Sequence, residues 1–381
     1  MNMIIYGAGS GGRLFLHTLQ MFHFHISAFI DSNTKLHTST IEGIPVFPPE
    51  RLQTLNYDYL IIASSYAFEK EIYLSLKQLG VPKYKILFGS HLRYSAQSRL
   101  AAFDQDKDIS TCVSGISYHK NALVNEFSEH SIFNYALPSQ DIYYDHKIAC
   151  ELIKNRRSAL QNWIIGLSYY SLHYDMSLSK TWENVSYYSG IFGFHNLSEA
   201  RMQRIADLMP QHHPNNLFPH SFFKALDTNE YNFSKAHFGK TVDAVTLAQE
   251  AKERAPVDFN KNYPDTVTEN TGILHNYIRF LIDNAIRPII VVAPAPLDYR
   301  QFIDLNIAHE FLTLMESLQR EYGIAFIDGF TLHGYDHTHF MDHSHLNIRG
   351  SKKFTRHIDD VLSRLSHSPD CSFLKRQRSS E

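Results

Sequence analysis

Met3-Ile4-Ile5-Tyr6-Gly7-Ala8-Gly9-Ser10-Gly11-Gly12-Arg13 decides how the first part of the chain folds. Four apolar or aromatic residues run straight into glycines, and Arg13–Met21 then carries Leu14, Phe15, Leu16 and Leu19 at helical spacing. The pattern reads as a buried strand, a tight turn and a helix. Gly7-x-Gly9-x-x-Gly12 gives that turn a mechanism. The first glycine permits the sharp bend, the second lets backbone approach a pyrophosphate, and the third lets the helix pack close to the strand. The helix N-terminus then offers free N–H groups to an anion. Asp31, at the end of the next apolar run, Ile26–Ile30, stands where an acid would bind a ribose hydroxyl.

Working outward, strand and helix signals keep alternating. Ile44-Pro45-Val46 is extended, Pro49–Leu55 a short helix, Tyr59–Ala63 a buried strand, Phe68–Leu79 a helix and Ile86–Phe88 a last strand. Continuous apolar strands between helices imply a parallel sheet covered on both faces. Residues 1–95 therefore read as a Rossmann-like domain of nucleotide-binding type. Its ligand would be NAD(P) or a nucleotide-sugar; the competing reading is an empty shell kept for docking or regulation. Residues 96–108 read as a polar linker. A second α/β series, over 109–367, places strands at Thr111–Ser114, Ser131–Tyr135, Trp163–Gly166, Pro288–Val292 and Ile324–Ile327, with helices such as Asp145–Lys154 and Thr268–Asn284. A long insertion over 177–264, rich in His, Asn, Tyr and Phe, is expected to cap this second sheet. Residues 368–381 form a polar, basic tail expected to fray.

Composition narrows the function classes. With 381 residues, 44% hydrophobic and 20% charged, the chain can build real cores, which excludes a disordered chain and a disulfide mini-scaffold. Lys plus Arg number 36 against 39 Asp plus Glu, a net −3, so no global basic field recruits nucleic acid or anionic lipid. Cys112, Cys150 and Cys371 form no C-x-x-C pair, which suits a reducing compartment. No apolar run approaches the ~18–20 residues of a membrane helix, and the first residues lack the features of a signal peptide. The expectation is a soluble cytoplasmic protein with no membrane span.

Asp342-His343-Ser344-His345-Leu346-Asn347-Ile348-Arg349-Gly350 carries the chemistry. An Asp three residues before a His, on a loop after the last strand, can bond that imidazole and fix its tautomer, leaving His345 to act as general base for a serine. The pattern D-x-x-H-L-N-x-x-G, with Phe354 opening the closing helix, resembles the last block of SGNH/GDSL-type hydrolases and acyltransferases. The resemblance covers residues 108–366, the insertion matching least, and implies a flavodoxin-like three-layer α/β/α sandwich with its nucleophile on the turn after the first strand. In Gly115-Ile116-Ser117-Tyr118 that nucleophile is Ser117. The same resemblance puts oxyanion donors after the next two strands, at Ser139 and Ser168. Ser139 stands where a glycine is usual, and the usual G-x-N-D asparagine is missing at the Ser168 block. Ser168 is also the competing nucleophile, since it too ends a G-x-S after a strand. More plainly, both serines are small residues suited to tight βα turns. A metal centre is the other alternative, because His333, His337, His339, Asp342, His343 and His345 crowd one loop. Yet no H-E-x-x-H or Cys/His ligand spacing appears, so no metal is assigned. His212, His213 and His220 read as surface or substrate-lining residues. The 22 Tyr and 26 Phe suit carbohydrate stacking, although core packing accounts for most of them.

Two further resemblances point to the substrate. FIDSNTKLHTSTIEGIPVFPPERLQTLNYDYLIIAS, within residues 1–90, resembles the N-terminal domains of nucleotide-sugar dehydratases of the capsule-synthesis type and of sugar acetyltransferases. NYALPSQDIYYDHK with WIIGLSYYSLHYDMS is similar to an SGNH-like group found beside bacterial surface-glycan genes. Together they imply an esterase or O-acyltransferase of polysaccharide biosynthesis, acting on a carbohydrate or sugar-nucleotide, with acetyl-CoA as an available acyl donor. The alternative from another class is a non-catalytic protein that senses a nucleotide or scaffolds a partner.

Overall fold

The computed structural model describes residues 1–103, 108–154, 159–206, 209–211 and 216–367, with the backbone alone for 66–67 and 230–238. His212, His213, Cys371 and the 368–381 tail lie outside the described residues. The chain divides into two compact units, 1–106 with 183–234 and 107–182 with 235–381. Both are α/β. No helix among the described residues is long and apolar enough to cross a membrane.

The first unit is built on β1 (Asn2–Tyr6), β2 (His25–Ile30), β3 (Thr40–Ile41), β4 (Ile44–Phe47), β5 (Tyr59–Ile62) and β6 (Ile86–Phe88), in the spatial order β3-β4-β2-β1-β5-β6. All neighbours run parallel except β3 and β4, a hairpin closed by Glu42 and Gly43 at φ 51° and 81°. Without the antiparallel edge strand β3 the order is 3-2-1-4-5, the Rossmann one. Alternate residues Ile4, Tyr6, Ile30, Leu60, Ile62 and Phe88 share one core face. Met3, Ile5, Phe29 and Ile61 on the other face are equally buried, as parallel strands covered on both sides require. The turn after β1 needs its glycines: Gly7 has φ +113°, and a Cβ on Gly12 would lie 1.9 Å from the Gly7 carbonyl oxygen.

Two boundaries differ from the sequence reading. Ala96–Phe103, expected as linker, is a helix of the first unit with Ala96, Ala101, Ala102 and Phe103 buried, and Arg99 pairs with Asp227. Its small residues hide an apolar face that composition makes look polar. The second difference is Glu183–Ser234, expected over the second sheet. It belongs to the first unit, where Phe218 and Phe222 pack edge-on against Phe24, and Phe222 also against Phe22.

The second unit holds β7 (Thr111–Ser114), β8 (Ile132–Asn134), β9 (Asn162–Leu167), β10 (Arg287–Val292) and β11 (Ala325–Asp328), all parallel in the order β11-β10-β9-β7-β8. Counted within the unit this is the flavodoxin-like order 2-1-3-4-5, so the strand order reverses beside β7. Helix Ile348–His367 covers one face through Phe354, Ile358, Val361, Leu362 and Leu365 at helical spacing. Helices Ile142–Lys154, Pro264–Asp283 and Leu305–Tyr322 cover the other, where Tyr277 meets Trp163 and Phe311 meets Phe326. Three layers result.

A polar knot lies under the end of β7. Ser114 Oγ accepts from Trp163 Nε1 at 3.2 Å and lies 3.1 Å from the Tyr277 hydroxyl. Asp145, 1% exposed, faces Ser114 and the Gly115 N–H and accepts from Gln140 Nε2. Burial pushes its carboxyl up to about 8 despite those hydrogen bonds, with the charge of Asp141 adding to the rise. The folded state thus keeps a proton that the unfolded chain releases near ~3.9, and stability falls as pH climbs from there through the folded value. Glu69 in the first unit, raised to about 7 by burial, acts in the same direction. In Asp145→Asn the decline of melting temperature between about pH 5 and about pH 8 should be shallower than in the parent protein. Parallel curves would mean that Asp145 does not carry it.

Candidate active site

β7 is followed by Gly115, at φ +131°, and Ser117 is the first residue of helix Ser117–Ala122. The glycine is demanded by space as well as by φ: a Cβ there would lie 2.7 Å from the Gly166 carbonyl oxygen. Gly166 in turn leaves room for the His119 ring, which a Cβ would meet at 2.4 Å. Burial pushes the His119 imidazole down to about 4, so it stays neutral and its Nε2 meets the Val291 carbonyl at 3.0 Å. One buried ring therefore ties the helix that opens with Ser117 to β10.

The segment after β11 is folded by its own motif. Phe340 and Leu346, both buried, form a bridge, and the Met341 N–H donates to the His345 carbonyl at 2.9 Å. Asn347 Nδ2 donates to the carbonyls of Thr338 and Phe340 at 2.9 and 3.1 Å, and its Oδ1 accepts from the Gly350 N–H at 3.1 Å. A Cβ on Gly350 would lie 2.3 Å from the His339 carbonyl oxygen. The Asn and Gly of D-x-x-H-L-N-x-x-G thus clip the loop, and the Asp and His are what it presents.

His345 Nε2 lies 2.8 Å from Ser117 Oγ, and His345 Nδ1 lies 2.9 and 3.0 Å from the two carboxylate oxygens of Asp342. Nδ1 facing a carboxylate carries the proton, which leaves Nε2 to accept from the serine. Burial alone would raise the Asp342 carboxyl. The hydrogen bond and charge of His345, with the N–H groups of Ser344 and His345, outweigh it and hold the group well below the usual carboxylate range. Asp342 is accordingly an anion at working pH. Tyr118 packs edge-on to the His345 ring at 5.1 Å between centroids.

Ser117, His345 and Ser139 open on one cavity of about 570 Å³, also lined by Tyr118, Tyr170, Tyr174, Tyr263, Arg254 and Lys261. Ser139 has φ +61°, a left-handed conformation that glycine adopts more readily than serine. Its carbonyl accepts from the Tyr174 hydroxyl at 3.0 Å, and its N–H has no hydrogen-bond partner among the described residues. Ser168 sits elsewhere. Its N–H donates to Ser171 Oγ at 2.8 Å and its Oγ lies 3.1 Å from the same atom, in a smaller pocket among Tyr169, Phe259 and Phe330. Among the described residues no histidine bonds its Oγ, and its N–H is already used.

The loop histidines face separate partners: His339 Nδ1 bonds Asp336 at 2.9 Å, and His343 Nδ1 lies 3.8 Å from Glu250. Among the described residues no three His, Cys, Asp or Glu side chains are grouped to hold an ion. In the first unit, Gly7, Gly9, Gly12 and Asp31 gather at the ends of β1 and β2, but the Asp31 carboxylate is engaged by its own chain. It accepts from the Ala8 and Asn33 N–H groups, each at 2.8 Å. Gly9 has open space where a Cβ would stand, at the cap of helix Ser10–Met21, which has no acidic residue in its first turn.

Sequence reasoning missed the cavity's cationic wall. Arg254 and Asp258 are four apart on helix Ala244–Phe259, a readable spacing for a pair, but nothing local says that they line the cavity of Ser117.

A family model described as C2185-like, N-terminal, matches residues 1–87. No curated protein matches the chain. Among solved structures, the chain is similar to UDP-D-quinovosamine 4-dehydrogenase from Vibrio fischeri, at 32% identity over 23% of this chain and 75% of that one, with a TM-score of 0.19. It is also similar to a carbohydrate acetylesterase family member from Sinorhizobium meliloti, at 10% identity over 68% of this chain and 99% of that one, with a TM-score of 0.30.

Proposed function

We propose that this chain cleaves or transfers an O-acyl ester of a carbohydrate or sugar-nucleotide through Ser117, His345 and Asp342. The observation that carries the reading is the unbroken hydrogen-bonded line from Asp342 through His345 to Ser117 Oγ, opening on a cavity at the carboxyl end of a parallel sheet. Ser117 Oγ attacks the acyl carbonyl carbon while His345 Nε2 takes the hydroxyl proton. The oxyanion that forms is met by backbone N–H groups; Ser117, at a helix start, and Ser139 supply them. Collapse breaks the ester bond, and His345 returns the proton to the departing alcohol oxygen. Water or a sugar hydroxyl then attacks the acyl-serine, His345 takes its proton, and Ser117 recovers it as the acyl group leaves. Asp342 keeps the imidazole in the required tautomer and stabilises its protonated form. The tyrosines of the cavity supply stacking faces for a sugar ring. The sequence resemblances favour a bacterial surface-glycan precursor as the acyl acceptor or donor.

A fluorophosphonate probe with peptide mapping should label Ser117. Ser117→Ala should lose labelling and turnover of an activated acetate ester with little change in melting temperature. Full activity in that variant overturns the assignment, and a label on Ser168 moves it there. Asp342→Asn keeps the loop's size but favours the wrong tautomer, and turnover should fall by roughly 10⁴ by analogy with serine proteases. A neutral Asp342→Asn would leave the non-catalytic scaffold reading in front.

For the first unit we propose that the Gly7–Gly12 turn holds the phosphates of NAD(P) or a nucleotide-sugar, supported by the open approach at Gly9. Those ligands at millimolar concentration should raise the melting temperature of the parent protein and leave Gly9→Val unmoved. No shift with any nucleotide returns the domain to the empty-shell reading.

A further inference from the structure

The cavity that holds Ser117 is charged against the sign of the chain. The whole protein carries a net −3, yet the side chains lining the cavity include Arg254, Lys261 and Lys180 against Asp258 and Asp175. Both acids already hold hydrogen-bond donors of the protein. Asp175 accepts from the Ser177 N–H of its own turn at 2.7 Å. Asp258, 3% exposed, accepts from the Tyr299 hydroxyl at 2.8 Å and from Arg254 Nε at 3.2 Å, through the same oxygen. Lys261 is committed too. Its Nζ donates to the carbonyls of Val257 and Asp258 at 2.7 and 2.8 Å and lies 4.4 Å from the centre of the Tyr170 ring.

Arg254 differs from these. A guanidinium has five N–H donors, of which the Asp258 contact uses one. The four on Nη1 and Nη2 have no partner among the described residues, and the side chain is half exposed into the cavity. Holding an arginine by Nε to a buried carboxylate leaves its terminal nitrogens as a planar fork, the shape that meets a carboxylate or phosphate through two parallel hydrogen bonds. Tyr118, Tyr170 and Tyr174 line the same cavity, and Tyr118 packs on the His345 ring.

We propose that the substrate of this site carries, apart from its acyl ester, a negatively charged phosphate or carboxylate group that Arg254 binds, with Asp258 as the positioning residue that fixes the guanidinium. The proposal rests on the ester-chemistry reading of the same cavity. An acylated sugar phosphate, a nucleoside-diphosphate sugar and an acidic sugar all present the required group. A neutral acylated sugar does not.

Binding and turnover separate the two readings. Binding is measured by calorimetry in Ser117→Ala, which holds substrate without consuming it, using three matched probes: an acetylated neutral hexose, its phosphate ester and the corresponding hexuronic acid. At least one anionic probe should bind more tightly than the neutral one, and adding Arg254→Gln should cut that preference roughly 10–100-fold, the worth of a charge-assisted hydrogen bond. Arg254→Lys, which keeps the charge without the fork, should recover only part of it. The probe that loses more identifies phosphate or carboxylate as the group. Arg320→Gln, an exposed arginine on helix Leu305–Tyr322, serves as the charge control and should leave the preference intact. Equal affinity for anionic and neutral probes, or a preference that survives both Arg254 variants, overturns the proposal. Anion binding that depends on Arg254 in a protein without Ser117-dependent turnover would keep the site and remove the ester chemistry. The opposite pattern would keep the chemistry and remove the site.

Discussion

The 2.8 Å contact between His345 Nε2 and Ser117 Oγ joins residues 228 positions apart, and the second unit is organised around making it possible. Ser117 is held from below: Gly115 and Gly166 give up side chains so that the His119 ring can lie between β7, β9 and β10. His345 is held from behind, by a loop that Asn347 and Gly350 clip to the carbonyls before it. Neither support touches the reacting atoms. Each removes freedom that would otherwise have to be lost when a substrate arrives, which is how positioned groups lower a barrier.

Polar groups are buried close to this contact at a cost that only complete pairing offsets. Under β7, Ser114, Trp163, Tyr277, Gln140 and Asp145 share hydrogen bonds in a place where apolar side chains would be less demanding. Beside the cavity, Asp258 gathers Tyr299, Arg254 and Lys261 in the same manner. Such networks specify one arrangement of the loops that leave the sheet, because a shifted loop strands a buried donor. The left-handed Ser139 belongs with them: a strained residue, kept where the loop after β8 turns into the cavity.

How much of this was legible in the sequence depended on range. The alternation of apolar strands with amphipathic helices is a local signal, and every strand but the two-residue edge strand β3 follows it to within a residue or two. The meeting of Ser117 with His345 was legible only through the resemblance to SGNH/GDSL-type proteins, which implies a nucleophile after the first strand and a histidine after the last. The two N–H groups that the Asp31 carboxylate accepts from, of Ala8 and Asn33, by contrast cannot be read from spacing. The same holds for Ala96–Phe103 and Glu183–Ser234, whose membership in the first unit is decided by where Asp227, Phe218 and Phe222 find partners far along the chain. Arg254 shows the limit most clearly, since its pairing with Asp258 is local and its view of Ser117 is not.

The chain crosses between its units three times, at 106/107, 182/183 and 234/235, and this gives synthesis on the ribosome a particular order. Phe22 and Phe24 are made early, but the Phe218 and Phe222 rings that cover them are nearly two hundred residues downstream. At ~5–20 residues per second that delay is roughly 10–40 s, during which apolar surface of the nascent first unit lacks its own cover. The second unit begins before the first is finished and closes only when helix Ile348–His367 arrives. The first unit therefore lacks its cover until residues 218–222 are made, and the second until its last helix is. A gene fragment ending near residue 95 would leave the first unit without that cover.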